Sequence, residues 1–553
     1  MKLKNIILSA LGIVTLASCG EQMDYKEFKI DDAEYMKKRF DRAGGFITTI
    51  YSKLDSDFGN YDGGMLSSAT DESVFSQSGA SIESFFNGAW SPANANSSMW
   101  TSCYQGISYA NLFLDEFTGL TFDDYKLDIN YQQEMYQYNN YQFEARFLRA
   151  YYYFMLVRQY GDVPLITKTM TADEANVQPR TSAEEIFKFI DDECVAIKDT
   201  ITEDYANLGS MALSLSETGR ANNLAVLALR ARAALYHASP LFNPNNDKSL
   251  WQKAVEANND VIKACQARQY ALSSDYAGLF KGRTNWSDAK ALKEIIFARR
   301  ILSESRTFEE NNFPVGMSGA GAGGKGGNCP TQNLVEAYEQ GDLRLEATVA
   351  RNGDSWPNAN TQPLETYVGG ANGLPKVNAT TTGYYLKKYV DPETQIAGNG
   401  ANTSKHVWVT FRLAEFYLNY AEAMLNYTGS GYDKGSYSMS AADAINVVRK
   451  RAGLGNIDTG LSASDFKQKY ENERFVELAF EGHRFFDVRR WKEGSKYFTN
   501  IRGLNITKNA DGTFTETPVT VQTRQWDEKM NLFPIPQSEI LKSGSVLTQN
   551  PGW

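Results

Sequence analysis

The sequence predicts a mainly α-helical fold, a scaffold of helix pairs that carries an irregular, loop-rich lobe. Two observations predict it. Apolar residues recur with a helical period in several separated blocks, while residues 275–410 carry many Gly, Asn, Ser, Thr and aromatic residues with no such period. The first block, Glu144 to Val157, puts Phe147, Tyr151 and Phe154 beside Leu148, Tyr152 and Met155 on adjoining stripes. It stops at Gly161-Asp162-Val163-Pro164, a helix-ending and turn-forming cluster. Leu224 to Ala238 repeats the pattern and ends before Pro240. Trp251 to Gln266 follows, so these two blocks pair as a helical hairpin across the Asn-Pro-Asn-Asn loop at 243–246.

The C-terminal third has the same grammar. Arg412 to Asn426 is amphipathic, and Ala441 to Ala452 ends at Gly453 in the C′ position. Ser462-Ala-Ser-Asp465 resembles a capping box and opens one helix expected to run to about Trp491. Helix pairs of this length suggest a tetratricopeptide-like solenoid, although the 34-residue consensus is met only loosely, at Trp251, Ala254 and Ala257. Long irregular stretches inside a compact domain usually carry function, which makes 275–410 the place to look for a site.

The N-terminus reads as an export signal. Lys2 and Lys4 precede an apolar run, Ile6 to Ala17, that is shorter than the roughly 20 residues needed to span a bilayer. Leu16-Ala17-Ser18-Cys19 looks like a bacterial lipobox, cut before Cys19, with that Cys then acylated. Several acyl chains, palmitate among them, would give the stable anchor that one chain does not. Residues 1–18 are thus a signal peptide and 19–40 an acylated Cys and tether. Without the signal the formal charge moves from −10 to −12, because two lysines and no acids are lost. Such a chain offers phosphate backbones little counterion release, so nucleic acid is not an expected partner. Cys103, Cys194, Cys265 and Cys329 show no CxxC pair, so neither a metal knuckle nor a redox motif is supported. The 31 Tyr, 30 Phe and 9 Trp exceed what a surface would carry, so most must pack a core while some line a binding surface.

Several segments together resemble the SusD/RagB family of Bacteroidetes nutrient-uptake lipoproteins along nearly the whole mature length. They are Trp100-Thr-Ser-Cys-Tyr104-Gln-Gly-Ile107, Glu144-Ala-Arg146-Phe-Leu-Arg149, and Tyr160-Gly-Asp-Val-Pro164-Leu. Pro330 to Tyr338 with Asp342-Leu-Arg344, and Phe411-Arg412-Leu-Ala-Glu415 to Glu422, follow in order. Glu473-Arg474-Phe-Val-Glu477 to Arg490-Trp, Phe533-Pro-Ile-Pro536 and Asn550-Pro551 complete the set. The resemblance implies one domain over 41–553, with an N-terminal part of about 41–240 and a C-terminal part of about 270–553. It implies four tetratricopeptide-like pairs and a loop-rich lobe that holds the binding surface. It also implies capture of glycan or peptide and a place as lid on a TonB-dependent, SusC-like outer-membrane transporter. Gly20 to Asp24 resembles the family's surface-export signal, which places the protein on the outer face of the outer membrane.

Apparent catalytic motifs dissolve on inspection. Glu473, Glu477 and Glu481 recur every fourth residue, a spacing compatible with the roughly 5–9.5 Å between the carboxylates of a glycosidase. Flanked by Arg474 and Arg484 on a helix rich in aromatics, they are expected to form structural ion pairs. Gly319 to Gly326 nearly spells a Walker A loop but has Gly where Mg²⁺ needs Ser or Thr. His237, His406 and His483 are scattered, and Asn243, Asn245 and Asp247 begin a calcium loop that lacks its Gly and closing Glu. No cofactor and no metal are expected, and no catalysis.

A glycan site should join an exposed aromatic plane to hydrogen-bonding neighbours, because a sugar has an apolar C–H face and a rim of hydroxyls. Trp90, Asn94 and Asp71, in the polar stretch 71–94, have that chemistry, and the resemblance places a Trp, an Asn and an acid there. Phe313 and Trp356, with Trp286, Phe308 and Tyr367, are the loop aromatics of the lobe. The expected function is capture of oligosaccharide and its delivery to the transporter. The alternatives are the same role with peptide, a surface glycoside hydrolase, and a helical scaffold whose loop aromatics are buried.

Overall fold

The computed structural model describes residues 33–553 apart from 55–56, 58, 206–207, 212–218, 281–292, 318–322, 357–362 and 399. Cys19, the signal, Trp286 and residues 319–322 of the glycine run lie outside the described residues. The longer helices are α1 Phe40–Tyr51, α2 Ser98–Glu116, α3 Tyr131–Tyr160, α4 Ala183–Ile197, α5 Asn223–Ala238 and α6 Lys248–Ala267. After the lobe come α7 Leu413–Thr428, α8 Ala441–Arg451, α9 Ala463–Glu477 and α10 Arg484–Arg490. Each of α2 to α8 packs on the helix before it and the helix after it, the stacking expected of a helical-pair solenoid. Gly161 caps α3 with φ 69°, and Asn222, Asp247, Ser440 and Ser462 each cap a following helix by accepting a backbone N–H. The half-formed calcium pattern is part of this: Asn243 bonds the Ala238 and Asp247 carbonyls, and Asp247 caps α6.

One expectation fails here. The helix from Ser462 does not continue to Trp491; it stops at Glu477, and α10 begins at Arg484. Phe480 and Gly482 take φ of 61° and 76°, which turns the chain between the two helices. The turn aims the Glu481 carboxylate at Arg412, which a straight helix would not do.

The lobe is built from short two-stranded antiparallel pairs: β1 Ser73–Phe75 with β3 Asn328–Pro330, and β2 Ile295–Ser305 with β6 Ser404–Arg412. β4 Val349–Ala350 pairs with β5 Tyr385–Leu386, and β7 Asn500–Lys508 forms a hairpin with β8 Phe514–Thr523. Two main apolar cores result, one running through the helices and one filling the lobe.

A buried ionic hub joins lobe to helices. Arg412, at the end of β6, reaches Glu294 at 3.0 Å, Glu477 at 2.5 Å and Glu481 at 2.7 Å. Arg344 bonds Asp342, Glu473 and Glu477 at 2.7, 2.6 and 2.9 Å, and Arg451 also pairs with Glu477. Burial alone would raise the Glu477 carboxyl, but Arg451, Arg412 and Arg344 outweigh it and hold its pKa well below the usual range. The regular glutamates are therefore structural ion pairs sealed from solvent.

Candidate functional site

The first predicted cluster does not form an open surface. Trp90 is 4 % exposed, edge-on to Phe85, Phe533 and Trp553 at 4.7, 4.8 and 5.0 Å. Its indole N–H is directed at the Ala95 carbonyl, 3.4 Å away. Asp71 is buried in a two-pronged pair with Arg484 at 2.9 and 2.8 Å, and that guanidinium lies 4.1 Å from the ring centres of both Phe475 and Tyr497. Asn94 is exposed, yet its amide bonds the Ala89 carbonyl and so holds the turn. An acid and an indole in a polar stretch were expected to face water. They instead fill the floor under that stretch, because Arg484 and Phe533 arrive from more than 400 residues downstream.

Phe313 and Trp356 are brought together, edge to face at 5.3 Å. Phe313 is 1 % exposed and belongs to the lobe core, so it is a support and no contact surface. Glycine makes this packing possible: a Cβ on Gly324 would stand 2.2 Å from the Phe313 carbonyl oxygen. Trp356 is also buried, at 5 %, so its flat face is not offered to solvent as expected. Its edge is different. The indole nitrogen makes no hydrogen bond among the described residues, and the residue lines a cleft of about 420 Å³. A buried N–H without a partner costs on the order of 1–3 kcal/mol, a cost that an acceptor reaching it would remove.

The walls of this cleft come from three segments. Trp356 follows the turn after β4, held by the Asp354–Lys387 pair at 3.0 Å. Lys387, Lys388 and Tyr389 follow β5, and Asp275, Gly278 and Phe280 come from the chain after α6. The Lys388 ammonium is buried against Tyr276 and Glu481, both at 2.8 Å, with the Phe280 ring centre 4.0 Å away. Burial pushes its pKa down to about 8, although the Glu481 carboxylate works against that shift. The cleft therefore combines apolar rings, among them the Trp356 indole, with Lys387 and with carboxylates at Asp275 and Glu346. This is a set of groups that matches a hydroxyl-rimmed ring with an apolar face. The sequence pointed to Trp356 through its place in a loop. Lys387 and Glu346 carried no local signal, since only the β4–β5 pairing sets them beside it.

Among the described residues, no group of three His, Cys, Asp or Glu is arranged to hold a metal. His237 and His406 pair with Glu184 and Glu309 at separate places. Cys103, Cys194, Cys265 and Cys329 are buried free thiols. No described helix is long and apolar enough to cross a membrane.

Comparison with known proteins gives a consistent result. Residues 293–553 match the model of the SusD family, and residues 46–235 match that of a family described as starch-binding and associating with the outer membrane. The SusD-like protein P2 of Formosa agariphila is 26 % identical over 474 residues, covering 83 % of this chain and 80 % of its own. The crystal structure of a SusD-like protein from Bacteroides fragilis superposes with a TM-score of 0.75 at 24 % identity, covering 95 % of this chain and 99 % of that one. A structure titled as a laminarin-binding SusD-like protein gives a TM-score of 0.64 at 22 % identity, over 93 % and 99 % of the two chains.

Proposed function

The chain belongs to the SusD/RagB family, and from that premise we propose that it captures oligosaccharide at the cell surface and passes it to a TonB-dependent outer-membrane transporter. It acts as a binding protein, anchored through an acylated Cys19 after loss of residues 1–18, and it does not transform its ligand. Relatives titled as laminarin-binding or surface glycan-binding support the ligand class, and the name of one matching family supports the outer membrane. The observation that carries the site is the Trp356 cleft, where a buried indole N–H has no partner among the described residues.

A glycan and peptide binding screen on the full chain in mild detergent tests this, repeated with Trp356→Phe. That change keeps a ring against Phe313 and removes the donor together with part of the indole's bulk. Binding of one glycan class, weakened about two- to tenfold by the substitution, is the expected result. Capture of peptides with no glycan bound would sink the carbohydrate reading. Release of shortened product from a bound glycan would sink the claim that nothing is cut.

A further inference from the structure

A second cleft lies between the β7–β8 hairpin and the segment 366–383, with a volume of about 260 Å³. Its walls are Val368, Leu374, Leu504, Ile506, Val519 and Val521, and no ionisable side chain lines it. Thr366 lines it too. That residue is 6 % exposed, and its hydroxyl oxygen, the one polar atom of the side chain, finds no hydrogen-bond partner among the described residues. The next residue along, Tyr367, packs against Phe514 with ring centres 5.4 Å apart, and Phe514 is 42 % exposed at the start of β8. The Val368 N–H donates to the Ile506 carbonyl at 2.9 Å and fixes the segment to the hairpin, so cleft and aromatic pair form one surface.

We propose that this surface is a second carbohydrate-contact site, which takes one neutral sugar unit of a polysaccharide. An uncharged cleft disfavours an ionised ligand, because nothing in its walls would compensate the lost hydration. The valine and leucine walls suit the C–H face of a pyranose, and the enclosed Thr366 hydroxyl gains a partner when its side chain turns toward a sugar hydroxyl. Phe514 offers a partly exposed ring for the neighbouring unit to rest on. This rests on the reading that the ligand is a glycan. It adds that a long chain is held at two places, here and at the Trp356 cleft, which raises avidity without any tighter single contact.

The test is electrophoresis of the full chain in mild detergent through gels containing soluble β-glucan, xyloglucan, galactomannan or pectin. Phe514→Ala and Thr366→Val are compared with the unsubstituted protein. For a neutral polysaccharide that retards the protein, each variant should weaken retention about two- to tenfold while the melting temperature stays within a degree or two of the parent. Thr366→Val separates a ligand contact from a structural role, because replacing an unpartnered hydroxyl by a methyl should not harm folding. Undiminished retention of both variants would overturn this second site and leave glycan capture intact. Retention by pectin alone would overturn the neutral-sugar assignment. No retention by any glycan would remove both readings together.

Discussion

The hub between helices and lobe and the two clefts of the lobe treat buried polar atoms in opposite ways. At the hub, Glu477 has 0 % exposure and its two oxygens are shared among Arg344, Arg412 and Arg451. In the clefts, Trp356 and Thr366 are also buried, yet the one polar side-chain atom of each has no partner among the described residues. Paired buried charges hold the two halves in register, and the cost of breaking one pair is high. Unpaired neutral donors are a small standing cost that an acceptor from outside would remove. The contrast separates residues that build this protein from residues that we propose meet its ligand, independently of how aromatic or how charged they look in sequence.

The largest effect should come from breaking the hub. Arg412→Met leaves Glu481 and Glu294 short of their main cation, and unfolding by urea should show a loss of about 3–5 kcal/mol. A loss under about 1 kcal/mol would mean that the hub does not hold the lobe to the helices. Trp90→Ala should cost a similar or slightly smaller amount, about 3–4 kcal/mol, since it opens a cavity among Phe85, Phe533 and Trp553. Measured at a temperature where the variant stays folded, its glycan affinity should match the parent. Lost affinity in a folded variant would return Trp90 to the site.

A middle-sized effect tests protonation in the same buried region. Burial, helped by the Asp71 charge, pushes the Glu72 carboxyl up to about 8, from 4.5 in an unfolded chain. The folded state then keeps a proton that the unfolded chain releases, so stability falls as pH rises from 4.5 to 8. Glu72→Gln should be neutral below pH 4.5 and stabilising by about 1–3 kcal/mol above pH 8. Melting temperatures across pH 4 to 9 would show this as a widening gap. Two glutamates of the hub, Glu477 and Glu481, have the opposite sign. Both are held low by arginine neighbours despite burial, so their contribution is complete above about pH 4.5 and fades as pH drops below it. The smallest stability effect belongs to Trp356→Phe, about 1–2 kcal/mol from the lost ring volume, because the lost N–H had no partner among the described residues. A larger destabilisation would show that the indole does structural work after all.

Much of the helical half was legible before any coordinates. The stripes of Phe147, Tyr151 and Phe154 and the capping residues Asp247 and Ser440 act over a few residues of chain, which is the range that periodicity and hydrogen-bonding propensity cover. The break at Phe480–Gly482 was missed because the reason for it, Arg412, sits on a strand some seventy residues earlier. The site was less legible still. Trp90 and Trp356 look alike in sequence, each an indole in a polar, turn-rich stretch. What separates them is that Trp90 finds Ala95 for its N–H and Trp356 finds nothing. Phe514 and Thr366 carry no local signal, because Thr-rich hairpins and single threonines are common.

The sequence by itself determined the helix pairs, the acidic character of the chain, the ion-paired role of its regular glutamates and its resemblance to a family of nutrient-binding lipoproteins. Those properties are local or compositional. Only the tertiary structure decided which aromatics are core and which edge a cleft, and which buried donors go without a partner. Burial and hydrogen-bond satisfaction are properties of neighbours, and here the deciding neighbours, Arg484 for Asp71 and the hairpin for Thr366, lie 413 residues and well over 100 residues away along the chain.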